Sequence, residues 1–95
     1  MPCVEISHSK RRAKKHFYLR FKLRKIDELI SLDELERSIK QYYIQGSFVE
    51  DKKHLGIEGP RYRIFIKKND KLIIIIIEKT KDCLLPITVW FKSLR

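Results

Sequence analysis

The chain has 95 residues, room for one domain with its own core and not for two. Hydrophobic residues make up 43% of it, and 22 Lys plus Arg stand against 12 Asp plus Glu. A multidomain enzyme and a disordered basic tail are thereby excluded, and a net charge of +10 points to an anionic partner.

Residues 1–95 are read as a single domain. The opening Met1-Pro2-Cys3-Val4-Glu5 lacks the basic-then-apolar pattern of a secretory signal. The longest apolar run, 72–77, falls far short of the roughly 20 residues a membrane span needs. A cytoplasmic location without membrane association is expected. Cys3 and Cys83 are able to pair in principle, but two cysteines without a secretion signal read as free thiols. His8, His16 and His54 share no zinc-type spacing with them, so no metal and no cofactor is expected.

Charge is distributed unevenly. Residues 1–25 carry nine Lys or Arg against Glu5 alone, a balance of +8, whereas the other 70 residues balance to +2. In chain order, residues 4–7 suit a short strand, and the basic segment 8–15 is either a flexible arm or the start of the first helix. From residue 16 periodicity takes over: Leu19, Leu23, Ile26 and Ile30 step by four, three and four, the stripe of a helix over 16–30. Phe17 and Phe21 form a second pair four apart. The alternation Phe17, Leu19, Phe21, Leu23 also suits a strand, and the continuation to Ile26 and Ile30 favours the helix.

Ser31-Leu32-Asp33-Glu34 has capping-box spacing and predicts a second helix with Leu35 and Ile39 buried, ending near Tyr42 or Tyr43. Gly46 is the expected chain reversal into a strand over 47–50, followed by a loop over 51–60. The alternating 61–66, the turn residues Asn69-Asp70 and the β-branched run 72–77 read as a hairpin. An unbroken apolar run belongs where both faces are covered, so 72–77 is the expected central strand. A last strand over 87–91 follows Pro86. The expected fold is α+β, with one or two helices packed on an antiparallel sheet of three to five strands.

The chemistry-bearing residues cluster by spacing. His16, Arg20 and Arg24 form a ladder on the first helix, with Phe17 and Phe21 on one side and Leu19 and Leu23 on the other. Lys14, Lys15, Lys22 and Lys25 occupy the opposite, solvent arc with Tyr18. Arg61 and Arg63 share one face of the hairpin, and with Lys67 or Lys68 they complete a basic concavity suited to phosphate. Tyr62, Phe65 and Trp90 are rings on which a base can stack; Phe65 is expected in the core, whereas Tyr62 and Trp90 stand evenly between core and platform. Alternatively, Glu50, Asp51, Glu58 and Glu78 pair with the arginines in structural ion pairs.

The set His16-x-x-x-Arg20-x-x-x-Arg24-x-Ile26, Ser31-Leu32-Asp33-Glu34-Leu35, Gly46-Ser47-Phe48-Val49-Glu50-Asp51, Gly59-Pro60-Arg61-Tyr62-Arg63 and Ile87-Thr88-Val89 resembles a small bacterial and archaeal domain family. That family opens on H-A-x-x-R-x-x-x-R-G-I and is similar in plan to the BrnT and RelE toxins. Lys25 stands where its pattern has Gly, and Phe17 where it has a small residue. The resemblance implies a compact, toxin-like endoribonuclease acting on RNA without metal, or a relative of one, that is neutralised by an acidic antitoxin-like protein. In that reading His16 is the general acid/base and Arg20, Arg24 and Arg61 stabilise the phosphate, with Arg63 beside them. Lys14, Lys15, Lys22, Lys25, Arg63, Tyr62 and Trp90 contact the nucleic acid, RNA in preference to DNA. Two further readings remain open: a non-catalytic nucleic-acid-binding module, and a protein-interaction domain for an acidic partner.

Overall fold

The computed structural model describes residues 3–4, 12–53 and 59–94, with side chains from residue 17 onward in the first helix. The order is β1 (Cys3–Val4), α1 (Arg12–Leu23), a 3₁₀ turn (Ile26–Glu28), α2 (Leu32–Ile44), β2 (Val49–Glu50), β3 (Arg61–Lys68), β4 (Lys71–Lys79) and β5 (Cys83–Ser93). Five strands form one sheet in the order β1-β5-β4-β3-β2, and the helices pack on one side of it. The fold is α+β. Pairing is antiparallel from β2 to β5, as alternation and turn residues imply, but β1 joins β5 in parallel. No hairpin signal announces that pair, because its two strands stand at opposite ends of the element order, with both helices and three strands between them.

β4 is the central strand, and Ile73 to Ile77 are all buried. Ile73, Ile75 and Ile77 face the helices, where Phe17, Phe21, Ile26, Ile30, Leu35 and Ile39 close over them. Each such side chain contributes about 1.5–3 kcal/mol on burial. Asn69, in the two-residue turn from β3 to β4, adopts φ 56, a left-handed conformation that Asn tolerates. Ile77 pairs with Pro86 and Ile76 with Thr88, leaving Ile87 as an extra residue on β5. This bulge accommodates a proline that has no N–H for the ladder.

α1 departs from the expected helix. It ends at Leu23, and Lys25 follows at φ 57, so Ile26 and Ile30 reach the core from a separate turn. Leu19 and Leu23 are 54% and 68% exposed, whereas Phe17 and Phe21 are 1% and 2% exposed. The cause is geometric: Phe17 and Leu19 lie about 200° apart on a helix, so one sheet surface buries one flank only. The larger aromatic pair takes it, with ring centroids 6.1 Å apart.

α2 follows the expected pattern at its start, with the Ser31 hydroxyl accepting the Glu34 N–H at 3.1 Å. The Glu34 carboxylate pairs with Lys68 of β3 rather than reaching back to the cap. Gly46 has φ +73 and turns the chain after α2. The free-thiol expectation is overturned: Cys3 and Cys83 form a disulfide across the β1–β5 pair, with their Cα atoms 4.5 Å apart. The Thr80 hydroxyl accepts the Cys83 N–H at 3.0 Å and fixes the turn that presents this cysteine.

Candidate nucleic-acid interface

Side chains alternate across a strand, so β3 sends Tyr62, Ile64 and Ile66 toward the helices and Arg61, Arg63, Phe65 and Lys67 to the other face. The register carries that face across the sheet in four rows: Lys67–Leu72–Lys92, Phe65–Ile74–Trp90, Arg63–Ile76–Thr88 and Arg61–Glu78–Leu85. The middle of each row belongs to β4. Around this centre stand cations and rings, and among the described residues no helix packs on this face. Phe65, expected in the core, is 40% exposed here. Its β-strand parity sets it with the arginines and opposite Ile64 and Ile66.

The arginines of β3 are held by carboxylates. Arg61 Nε donates to Glu78 Oε1 at 3.0 Å, and Glu78 is only 3% exposed. Arg63 Nη2 lies 3.6 Å from Asp51 Oδ2. Asp51 is itself fixed at the loop entrance, because its N–H donates to the Arg61 carbonyl at 2.8 Å and its Oδ1 accepts the Lys53 N–H at 3.2 Å. The guanidinium of Arg63 also lies 5.8 Å from the centre of the Trp90 ring. Since β4 runs between β3 and β5, this contact passes over Ile74 and Ile76, both buried. Asp51, Arg61, Arg63, Ile76, Ile87, Thr88 and Trp90 line a pocket of about 160 Å³.

The helix ladder is only partly drawn into this surface. Arg24 Nη1 donates to the Val89 carbonyl at 2.8 Å, which joins the end of α1 to β5. Arg24, Thr88, Trp90 and Phe91 line an open groove of about 570 Å³. Arg20 is half-buried beside Phe17 and Phe21. The side chains of His16, Lys14 and Lys15 lie outside the described residues, as do His8, His54 and Glu58. Lys22 pairs with Asp27 at 3.4 Å and lies over the Tyr18 ring, and Lys25 is exposed at the helix break.

Two expected members of the surface lie elsewhere. Tyr62 is on the helix side, its ring 4.6 Å from that of Phe48 and 6.1 Å from that of Tyr43, measured between centroids. Burial there, followed by the charges of Tyr43 and Glu50, raises its hydroxyl pKa above the ordinary tyrosine value. Lys68 is on the same side in its pair with Glu34, so of the two candidate lysines Lys67 belongs to the face that carries Arg61 and Arg63. Lys92, Thr88 and Phe91 were not singled out by sequence reasoning. For Lys92 and Thr88 the signal existed in the alternation with Trp90, which sets residues 88, 90 and 92 on one face of β5.

Among the described residues no group of His, Cys, Asp and Glu is placed to hold a metal ion. Nor is any described helix long and apolar enough to cross a membrane. No protein-family model, no curated protein and no solved structure matches this chain.

Proposed function

We propose that this protein is a non-catalytic nucleic-acid-binding module whose contact surface is the face of the sheet on which none of the described helices packs. The observation that carries this reading is the arrangement of that face: Arg63, Phe65, Lys67, Trp90 and Lys92 surround an aliphatic centre. Arg24, Arg61, Arg63, Lys67 and Lys92 outnumber the two carboxylates, Asp51 and Glu78, that pair within the surface. Cations of this kind hold phosphates through counterion release, and exposed rings accept bases. RNA rather than DNA is the favoured ligand. The protein supplies position and charge, with no proton transferred.

The toxin-like endoribonuclease reading asks more of the same residues. It adds a proton transfer at His16 to the phosphate contacts of Arg24, Arg61 and Arg63, each of which is also engaged by a protein acceptor. A second reading, a binding domain for an acidic protein, is supported by the exposed Leu19 and Leu23 beside Lys22 on α1, with Lys25 just after it. Copurification with a short acidic protein encoded next to this one is its test.

Binding of a fluorescent RNA oligonucleotide across a salt series tests the main reading. The logarithm of the affinity is expected to fall linearly with that of the salt, by about 0.7 for each phosphate neutralised on a single strand. A flat salt response, or no binding at low salt, overturns it. RNA incubated with the protein in EDTA should remain intact; cleavage that His16→Ala abolishes while binding persists would establish the ribonuclease reading instead.

A further inference from the structure

The groove at the outer edge of β5 is the most specific feature of the candidate surface. Among the described residues β1 pairs with Cys83 and Leu84 and no other strand lies along this edge, which farther on is met by the end of α1. Trp90 forms a wall shared by the groove and the smaller pocket that contains Arg63. Its indole therefore has a flank toward Arg63 and a flank on the open groove. The groove's volume lies within the range of about 300–1,000 Å³ usual for small-ligand clefts.

Arg24 supplies the second element. One of its five N–H donors is bound to the Val89 carbonyl, which fixes the planar head in place and leaves the others to a ligand. A guanidinium held in this way beside an indole is preorganised for a phosphate oxygen and a stacked ring together. Phe65 adds a further ring in the same row as Trp90, on the far side of β4, at a spacing of about two inter-strand distances, roughly 9–10 Å.

We infer that this groove takes one nucleotide of a single-stranded nucleic acid, its base stacked on Trp90 and its phosphate on Arg24. The inference rests on the proposed nucleic-acid-binding function and specifies its ligand. A base within a duplex is already stacked on both faces, so an indole in a groove wall receives only a base that is unpaired and turned out. Phe65 then serves the neighbouring base, and Lys67 and Lys92 lie along the row next to both rings.

Trp90 is the single tryptophan of the chain, so its emission reports on the groove directly. The intact protein is titrated with short oligouridylate, with oligothymidylate of equal length, and with an RNA duplex, all at one salt concentration. Both single strands should quench Trp90, and they should bind at least about fivefold more tightly than the duplex, the effect of one stacked base. Trp90→Leu and Arg24→Gln should each erase this preference while duplex binding remains, and Trp90→Phe, which keeps a ring, should retain most of it. Tighter binding of oligouridylate identifies RNA as the ligand, and equal binding identifies single strands of either kind. Salt-dependent binding with equal affinity for strand and duplex and unchanged Trp90 emission overturns the groove assignment and leaves the module reading standing. Failure of every nucleic acid to bind overturns both.

Discussion

Arg61 donates its Nε proton to Glu78 across the β3–β4 pair at 3.0 Å, and the carboxylate it reaches is almost completely enclosed. This bond compensates a buried charge on the central strand, so its loss leaves a carboxylate with fewer partners than its desolvation demands. Arg61→Ala is expected to lower the unfolding free energy by about 1.5–3 kcal/mol, the range for hydrogen bonds to charged groups. Urea denaturation measures it. An unchanged midpoint would show that the Arg61–Glu78 bond adds nothing to the fold.

Phe21 and Leu23, two residues apart on α1, differ in consequence because they lie on opposite sides of it. Phe21→Ala removes a buried ring from the layer between helix and sheet and should cost about 3–5 kcal/mol. Leu23→Ala, at a side chain left mostly in water, should change stability by less than about 0.5 kcal/mol. Equal losses in a thermal or urea melt would mean that the helix packs by its leucine flank after all.

That pair marks where the sequence stops being legible. The apolar stripe Leu19, Leu23, Ile26, Ile30 runs on smoothly in one dimension, and nothing in it marks the break after Leu23. The residue in the left-handed position is Lys25, whereas a glycine there would have signalled a helix end. By contrast, the second helix start, the β3–β4 hairpin and the buried central strand were legible, because Ser31 and Glu34, Asn69 and Asp70, and the isoleucine run each express a local rule. For the site, the shared face of Arg61 and Arg63 followed from parity alone. Their partners Glu78 and Asp51 were among the possible ones, and the choice between phosphate and carboxylate required the register. The groove depends on the meeting of Arg24 with Val89, 65 residues away, and no local pattern encodes such a contact.

The disulfide between Cys3 and Cys83 closes nearly the whole chain into a loop, with a sequence separation of 80. A bridge over so long a loop restricts the unfolded chain by about 4–5 kcal/mol in the chain-entropy account. Among the described residues β1 contributes two residue pairs and the buried Val4, and the bond adds a covalent tie between β1 and β5. Cys3 is exposed and within reach of a reductant, and disulfides of this kind persist in oxidising surroundings and are lost in a thiol-rich cytoplasm. Reduction, or Cys83→Ser, should shift the urea midpoint down markedly and expose titratable thiol in the reduced wild type. Identical unfolding curves with and without reductant would show that the bond adds nothing to the fold.

Tyr62 gives the fold an alkaline limit. Burial is the chief cause of its raised pKa, and the Tyr43 and Glu50 charges add to it, so the folded chain keeps the phenolic proton to higher pH than the unfolded chain does. Above the ordinary tyrosine value of about 10 the unfolded state therefore binds fewer protons than the folded one, and the stability slope with pH is negative. The contribution is complete below that value and is lost as pH rises through the folded one. Tyr62→Phe keeps the ring against Phe48 and Tyr43 while removing the titrating hydroxyl. The wild type should lose more stability than Tyr62→Phe between about pH 9 and pH 11, on either side of the ordinary tyrosine value, in urea titrations at each pH. Parallel losses in the two proteins would separate Tyr62 from the alkaline slope.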